Sequence, residues 1–533
     1  MEVYSTFIVK FKKALGLILP LFLIFSLGTS CKKNQKKTES LLNSSKDFTE
    51  LKIDSTVVKP LIQKYPISPV IANEVIEFYT RRNYQFGWFN TNGMTCGASN
   101  FYNQLKTYSQ DFGDNSLNNK VLDSLMADFE TNPLKISSQK TNLEQFDLLL
   151  TATFFEYAHK VYGGATKNAS ALDWFIPRKK KNYQMLLDSL VSSELCKNLQ
   201  EPLNQYYIRL RAKLKAYRFI QKKGGFPKIE TGRKEIVLGE GDSVLISVKQ
   251  YLFLSGDLST KDPSTIFTDS LSKALMNFQH RMGLNETGTL NHQTIIEFNK
   301  PIEFRIKQMM VNMERLRWIP VEIEKNYLLI NIPEYRLHIF ENSKQVWVTN
   351  VVVGKLIKQT SIFRGNLSQI ILNPYWGIPT SIVKNEIIPN IQRNPNYLAN
   401  NNMEVVDGNY RQKPGKNNAL GKIKFMFPNN YHIYLHDTPS KRLFGETNRA
   451  FSHGCIRVEN PKRLAYYLLK NNAEWDIPRI EKILKTDIQT GIRIEPIVPV
   501  YIAYFTAWVD EKGQLNFRKD LYDLDKKLAE EIF

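Results

Sequence analysis

One cysteine of this chain lies in surroundings that suit thiol chemistry. Cys455 stands in the stretch 451–461, which reads Phe-Ser-His-Gly-Cys-Ile-Arg-Val-Glu-Asn-Pro. Polar and apolar residues alternate after it, and successive side chains of a strand point to opposite faces. The pattern predicts that Cys455, Arg457 and Glu459 share one face at the start of a strand, while the two apolar residues between them face a core.

A histidine lies on a second run with the same alternation. Within residues 432–436, His432, Tyr434 and His436 fall on one face of the predicted strand. The pKa of a free cysteine thiol is about 8.5, and a neighbouring imidazolium can lower it by several units. Cys455 and His436 are therefore the candidate nucleophile and base. For an isolated pair, a buried cysteine near a histidine is the simpler interpretation.

The complete segment carries more information than the pair. His436-Asp-Thr-Pro, followed by Ser452-His-Gly-Cys-Ile-Arg457, resembles the signature of the L,D-transpeptidases, cell-wall enzymes of the YkuD type, in their large multi-domain branch. The resemblance implies that Cys455 is the nucleophile and His436 the general base and acid, with His453 as the alternative base. Backbone N–H groups around His453, Gly454 and Cys455 are expected to form an oxyanion hole, and Ser452 to support the turn.

Four further residues are candidates for binding substrate. Arg457 shares a predicted face with Cys455, and its planar fork suits a carboxylate, although an ion pair with Glu459 is the alternative. Tyr434 lies on the face of His436. Tyr375 and Trp376 lie in a turn rich in proline and are expected to grip a peptide at the mouth of the site.

The resemblance also implies a substrate and a reaction. The donor is a tetrapeptide stem of peptidoglycan, which forms a thioester with loss of D-Ala, and the amine of a second stem completes a 3→3 cross-link. Carbapenem β-lactams are expected to acylate the same thiol. No cofactor is implied. No metal is expected either, because the cysteine and two histidines of the segment offer three ligands without a further spacing motif.

Two other functions remain open at this stage. An L,D-carboxypeptidase or amidase would use the same thioester with water as the acceptor. A non-enzymatic wall-binding lipoprotein would use a binding module and leave the β domain as a relic, but the intact set of catalytic residue types argues against it.

Composition restricts the partners. The 533 residues include 72 Lys and Arg against 52 Asp and Glu, a net charge of +20, which favours an anionic partner. We find no helix-turn-helix, no zinc-finger spacing and no aromatic single-strand platform, so nucleic acid is not the expected partner. Peptidoglycan and a membrane surface are consistent with the charge.

The N-terminus predicts export. Basic residues precede an apolar run over 14–27, and small residues lead to Cys31, so residues 1–31 read as a lipoprotein-like signal peptide with Cys31 as the lipidated residue. Residues 32–59 are polar and form a predicted tether. The expected location is the periplasm of a Gram-negative cell envelope, with a membrane anchor. Cys96 and Cys196 remain and could pair in an oxidising compartment.

The rest of the chain must hold the two catalytic runs in place. Helical spacing dominates the first half and short β-branched runs dominate after residue 326, which predicts a multi-domain α+β protein with a mainly β catalytic domain. The predicted parts are a helical scaffold (60–235), a three-helix module resembling peptidoglycan-binding domains (236–301), a helical linker (302–325), the catalytic domain (326–490) with a capping loop (382–421), and a C-terminal hairpin and helix packing on it (491–533).

Overall fold

The computed structural model describes residues 50–131, 139–165, 168–177, 181–192 and 201–533. The predicted signal peptide, Cys31, most of the predicted tether and Cys196 lie outside these residues. Cys96 is disulfide-bonded, and Cys455 carries a free thiol. Over the described ranges, no helix combines the length and the apolarity needed to cross a membrane.

The N-terminal half is helical, as the sequence predicts. A buried carboxylate organises its centre, because Asp147 accepts hydrogen bonds from the Tyr79 hydroxyl (2.5 Å) and from the backbone N–H groups of Gly87 (3.0 Å) and Trp88 (2.7 Å). Its helices are α1 (Ser55–Lys64), α2 (Pro69–Arg81), α3 (Cys96–Phe112), α4 (Lys120–Thr131), α5 (Lys140–Tyr157), α6 (Tyr183–Val191) and α7 (Gln205–Lys222). Short strands β1 (Phe89–Asn90), β2 (Gly93–Met94) and β3 (Trp174–Phe175) accompany them.

Three short helices follow, as the sequence predicts for residues 236–301. They are α8 (Val244–Ser255), α9 (Asp269–Met282) and α10 (His292–Phe298), with strands β4 (Glu235–Ile236) and β5 (Leu290–Asn291) paired beside them. Gly256 and Gly283 end α8 and α9 at positive φ, where glycine is unstrained. Helix α11 (Ile302–Trp318) then leads into the catalytic domain.

Within the described residues, the C-terminal half forms a ten-stranded mixed sheet in which eight strands close into a barrel. Strand β13 pairs with both β14 and β9, which closes the ring. The strands are β6 (Tyr327–Asn331), β7 (Arg336–Glu341), β8 (Lys344–Gly354), β9 (Ile362–Leu372), β13 (Ile423–Met426), β14 (Leu435–His436), β16 (Ile456–Val458) and β17 (Thr490–Ala503), with β15 (Ala450–Ser452) and β3 attached at the edges.

Strand register sorts the side chains of the barrel. Leu435, Ile456 and Val458 are buried in the core, as the alternation predicts. On the opposite face, Lys424 of β13 pairs with His436 of β14, and His436 pairs in turn with Arg457 of β16. The outer face of three neighbouring strands therefore carries one lateral row, which runs Lys424–His436–Arg457.

The predicted capping loop is a folded subdomain. Strands β10 (Trp376–Gly377), β11 (Met403–Val406) and β12 (Asn409–Gln412) form a small sheet. Helices α12 (Thr380–Ile382), α13 (Ile388–Arg393) and α14 (Tyr397–Asn400) cover it, and a separate apolar cluster fills the space between them. The subdomain starts at Trp376, six residues before the predicted boundary at 382.

The C-terminal region differs from its prediction. Residues 498–503 were expected to belong to a hairpin, but they lie in β17, between β6 and β9 of the barrel. Only β18 (Ala507–Val509) and β19 (Leu515–Phe517) form the hairpin. The helices α15 (Pro461–Leu469), α16 (Ile477–Leu484) and α17 (Leu524–Ile532) complete the domain. The alternating pattern of a hairpin strand and of a barrel strand is the same, so only tertiary pairing distinguishes them.

A chain of buried hydroxyl groups connects this C-terminal region to the turn before Cys455. The Tyr522 hydroxyl donates to the carbonyl oxygen of Gly354 (2.6 Å) and accepts from the N–H of Thr360 (3.3 Å). Thr360 Oγ1 accepts from the N–H of Gly354 (2.9 Å) and donates to the carbonyl oxygen of Gly454 (2.8 Å). The residue before Cys455 is thus tied to the end of the chain.

We expect Tyr522→Phe to lower the free energy of unfolding by about 1–3 kcal/mol, because it leaves a buried carbonyl and a buried N–H without partners. Chemical denaturation followed by circular dichroism measures the change. The same variant should acylate more slowly at Cys455, since the turn loses its support. Tyr431→Phe is the matched control, because the Tyr431 hydroxyl makes no hydrogen bond to a described residue; equal effects of the two substitutions would contradict the proposed tie.

Candidate active site

Cys455 stands one residue before β16, at the position that the sequence predicts. The thiol is half-buried. Its Sγ donates to the carbonyl oxygen of His432, 3.6 Å away. The backbone N–H and the hydroxyl of Tyr434 lie close enough to the sulfur to lower the pKa of the thiol. The thiol therefore lies against the segment 432–436, as the sequence predicts.

The pKa of the thiol is not lowered by an imidazolium, as was expected for a pair of Cys455 and His436. Burial raises the pKa of Cys455 above its ordinary value. The groups that act in the opposite direction are the hydrogen bonds from Tyr434 and the positive charges of Lys424 and Arg457. The structure therefore holds a neutral thiol at rest, with donors and cations placed to stabilise a thiolate once it forms.

His436 is a neutral imidazole in this structure. Burial, the charge of Arg457 and the charge of Lys424 lower its pKa to about 3. Its Nδ1 bonds to the carbonyl oxygen of Asp437 (2.5 Å). A carbonyl only accepts, so Nδ1 carries the proton and Nε2 is left as a proton acceptor. The strand that was expected over 432–436 covers only Leu435 and His436, and His432 adopts a positive φ.

Two cations flank the imidazole, and the sequence identified only one of them. Arg457 makes no ion pair with Glu459 or with any other described carboxylate, and its Nε is buried without a partner. Lys424 stands on the other side of His436, with Nζ 4.0 Å from the centre of the Tyr434 ring. The alternation Ile-Lys-Phe at 423–425 indicates that Lys424 lies on the polar face of a strand. The sequence does not show that its neighbour across the sheet is His436.

The turn before Cys455 is held by side-chain oxygens. Ser452 Oγ donates to the carbonyl oxygen of Cys455 (2.5 Å) and accepts from the N–H of Gly454 (3.1 Å). Gly454 has a φ of +114°, which favours glycine. Its N–H is thus engaged within the turn. Among the described residues, the N–H groups of His453 and Cys455 have no acceptor and remain available to an oxyanion.

An acidic residue of the cap lies close to a histidine of this turn. Nε2 of His453 lies 3.5 Å from Oε1 of Glu386, a residue of the capping subdomain. Burial and the charge of Lys358 lower the pKa of His453, so its imidazole is neutral at neutral pH. His453 is half exposed and faces the cap, whereas His436 is buried beside Arg457. The two histidines therefore occupy different sides of the site.

The aromatic residues predicted at the mouth take separate places. Trp376 is the first residue of the cap and packs against its apolar cluster, and its side chain lies close enough to Tyr434 to act on the pKa of that hydroxyl. The Tyr375 ring lies beneath the guanidinium of Arg411, 4.4 Å from the ring centre, also within the cap. Tyr434 contacts the thiol itself. The structure thus brings Tyr434 and Trp376 together at the site and directs Tyr375 toward the cap.

The arrangement suits acyl transfer to sulfur. It combines a thiol, a neutral base with a free nitrogen, two unpaired cations and backbone N–H groups that can bind an oxyanion. Within the described ranges, no group of three His, Cys, Asp or Glu side chains is placed to hold a metal.

Three segments of the chain match protein-family profiles. Residues 325–488 match the L,D-transpeptidase catalytic domain of the YkuD family. Residues 73–214 match a scaffold domain, and residues 244–296 match a domain described as "Putative peptidoglycan binding domain".

A curated relative gives the same indication. A protein of Haemophilus influenzae named "Putative L,D-transpeptidase" is 32% identical over 243 residues, which cover 42% of this chain and 49% of the relative. The chain therefore spans about half the length of the curated relative that it matches.

Solved structures show only distant likeness. An L,D-transpeptidase of Xylanimonas cellulosilytica is 14% identical with a TM-score of 0.19, and covers 51% of this chain and 100% of its own. One of Stackebrandtia nassauensis is 12% identical with a TM-score of 0.22, and covers 51% of this chain and 97% of its own. These scores are too low to bear on activity. The family matches are specific, and they agree with the thiol site and its fold: the chain carries an L,D-transpeptidase catalytic domain, a scaffold domain and a peptidoglycan-binding domain in one polypeptide.

Proposed function

We propose that the protein is a cysteine-dependent L,D-transpeptidase that forms 3→3 cross-links in peptidoglycan. The observation that carries this proposal is the row Lys424–His436–Arg457 beside Cys455, in a domain of matching family. Sγ attacks the carbonyl of a tetrapeptide donor, the bond to the terminal D-Ala breaks, and a thioester forms. The amine of a second stem then attacks the thioester and restores the thiol.

Proton transfer depends on the base being present in its free form. His436 Nε2 accepts the proton of Cys455 and returns it to the departing amine of D-Ala. At rest this transfer is uphill, because the pKa of Cys455 is raised and that of His436 is lowered to about 3. The enzyme without substrate is therefore protected as a neutral thiol.

Substrate binding changes that balance. Arg457 has no carboxylate partner among the described residues, so a carboxylate of the donor stem would pair with it. Neutralising Arg457 removes a charge that lowers the pKa of His436, and the base becomes stronger. Lys424 and Tyr434 remain beside the sulfur to stabilise the thiolate. We infer that the donor stem itself activates the pair.

The oxyanion and the leaving group are served by different parts of the site. The free N–H groups of His453 and Cys455 would hold the developing oxyanion, while the cap, with Glu386, Trp376 and Tyr375, covers the stem. The N–H of Gly454 was also expected to contribute to the oxyanion hole. We leave it out of this proposal because it already donates to Ser452 Oγ.

The remaining segments support a location at the cell wall. A domain that acts on peptidoglycan requires export, which agrees with the predicted signal peptide at 1–31. We propose that Cys31 carries a lipid anchor, so that the scaffold and the peptidoglycan-binding domain present the active site to the sacculus from the membrane surface.

The purified full chain should form a thioester with a disaccharide-tetrapeptide donor, with loss of D-Ala, and an adduct with a carbapenem. Cys455→Ala should form neither, because it has no sulfur nucleophile. Intact-mass spectrometry measures both adducts. Product analysis after addition of an acceptor stem should show cross-linked dimers; shortened monomers alone would instead indicate the carboxypeptidase reaction, and no adduct from the parent protein would contradict both.

Alkylation of Cys455 by iodoacetamide should show how the thiol is held at rest. Because burial raises its pKa above the ordinary value of a thiol, we expect the rate in the free enzyme to keep increasing with pH through that ordinary value, without a plateau near neutrality. Lys424→Gln should shift the inflection further upward, since it removes a charge that lowers the thiol pKa. Stopped-flow or mass-spectrometric rates measure the profile, and Arg493→Gln, on an exposed part of β17, is the control. A rate that is independent of pH between about 5 and 8 would instead indicate a thiolate–imidazolium pair.

A further inference from the structure

A second cavity, of about 640 Å³, lies on the barrel away from Cys455. Its floor is the outer face of β6 and β7, including Leu329, Arg336 and His338. Helix α9 of the peptidoglycan-binding domain forms one wall, and the hairpin β18–β19 forms another. We call this space the interdomain cavity. Its volume is in the range of sites that bind small molecules and short peptides, roughly 300–1,000 Å³.

A matched ion pair lies at its floor. Nε2 of His338 contacts Oε2 of Glu334 (2.8 Å), and Nδ1 contacts Oε1 of Gln345 (2.7 Å). The carboxylate raises the pKa of His338, and the imidazolium lowers the pKa of Glu334 to about 2. Glu334 thus forms its contact ion pair with His338, and its charge also acts on Arg336 and Arg518 at longer range.

Three arginines surround this pair without a carboxylate of their own. The Arg336 side chain forms no hydrogen bond or ion pair with a described residue, and it lines the cavity. Arg449 donates to the carbonyl oxygens of Glu446 (2.9 Å) and Tyr335 (3.1 Å), and its Nε is buried without a partner. Arg518 donates to two carbonyl oxygens, and its guanidinium lies 5.0 Å from the ring centre of Trp508, which lines the cavity.

These charges affect one another. Burial and the charges of Arg336 and Arg449 lower the pKa of Arg518 to about 10. The nearby carboxylate of the binding domain, Glu286, is already paired with His280 (2.7 Å). Arg336, Arg449 and Arg518 together therefore carry more positive charge than Glu334 and Glu286 balance, whereas the other carboxylates of the cavity, Asp510 and Glu511, lie on the wall formed by the hairpin. Such an excess in a partly buried position is a binding site for an anion.

Most of the remaining wall is apolar, apart from Asp510, Glu511 and Lys512 on the hairpin. Several aromatic rings line the cavity, among them Tyr206, Tyr327, Phe340, Tyr501, Phe505 and Trp508. Amide side chains of Asn277, Gln514 and Asn516 contribute polar atoms at its side. A cavity with largely apolar walls, a few polar groups and positively charged arginines around its floor fits an amphipathic ligand that carries a carboxylate.

We propose that the interdomain cavity is a second, non-catalytic site that binds the carboxylate of a peptidoglycan stem peptide through Arg336. The identity of the ligand rests on the proposed function and on the peptidoglycan-binding domain that supplies one wall. The stem offers carboxylates on a short, partly apolar peptide. Binding there would retain a second strand on the enzyme while the first reacts at Cys455.

The test uses the full chain as Cys455→Ala, labelled with 5-fluorotryptophan and followed by ¹⁹F NMR. The chain has seven tryptophans; Trp508→Phe and Trp376→Phe assign the signals of the interdomain cavity and of the cap. Free tetrapeptide should shift both signals, with separate concentration dependences. N,N′-Diacetylchitobiose, a disaccharide that has neither a peptide nor a carboxylate, should leave the Trp508 signal unchanged.

Matched arginine variants separate the two sites. Arg336→Gln should weaken the response of Trp508 by about tenfold or more and leave that of Trp376 intact, Arg457→Gln should do the reverse, and Arg493→Gln should change neither. The inference is overturned if tetrapeptide does not shift Trp508, if Arg336→Gln leaves that shift unchanged, or if the disaccharide alone produces it. A Trp508 response that depends on Arg336 supports the inference even when the parent protein forms no thioester, an outcome that would reject only the proposed function.

Discussion

The closure of the barrel is the constraint on which the site depends. Because β13, β14 and β16 are neighbours in a fixed register, Lys424, His436 and Arg457 stand side by side on the outer face, although 33 positions separate the first from the last (457 − 424). Burial of the imidazole is the largest cause of its neutral charge, and two cations stand beside it. Burial alone disfavours imidazolium, and the flanking charges add to that effect.

Cys455 and His436 are both neutral in the resting protein, and this explains its low reactivity. A thiol with a raised pKa is a poor nucleophile, so the resting protein is chemically quiet. The same cations that suppress the imidazolium also suit an incoming carboxylate, which would relieve the suppression. Rigid support for the turn comes from Ser452, Thr360 and Tyr522, whose hydroxyl groups fix the backbone around Gly454 from both sides. Buried polar groups are also hydrogen-bonded at the centre of the scaffold, where Asp147 accepts three hydrogen bonds.

Several features were accessible from the sequence because they depend on local pattern. Helical spacing located the long helices, and the period of two located the strands of the catalytic domain. The alternation after Cys455 correctly assigned the core face to Ile456 and Val458. Helix α15 begins at Pro461, a residue type that favours the first helical position. The C-terminal hairpin was misplaced, because residues 498–503 have the pattern of any strand and their partners lie far away in the chain.

The sequence by itself determined the reactive residue types, the order of the domains and the family that they resemble, since residue type and spacing are local properties. Tertiary structure alone decided the charge of His436, the arrival of Lys424 at the site, the engagement of the Gly454 N–H and the unpaired state of Arg457. The reason is physical: pKa values and hydrogen-bond partners depend on burial and on neighbours across the sheet, and these neighbours are set by strand register and not by distance along the chain.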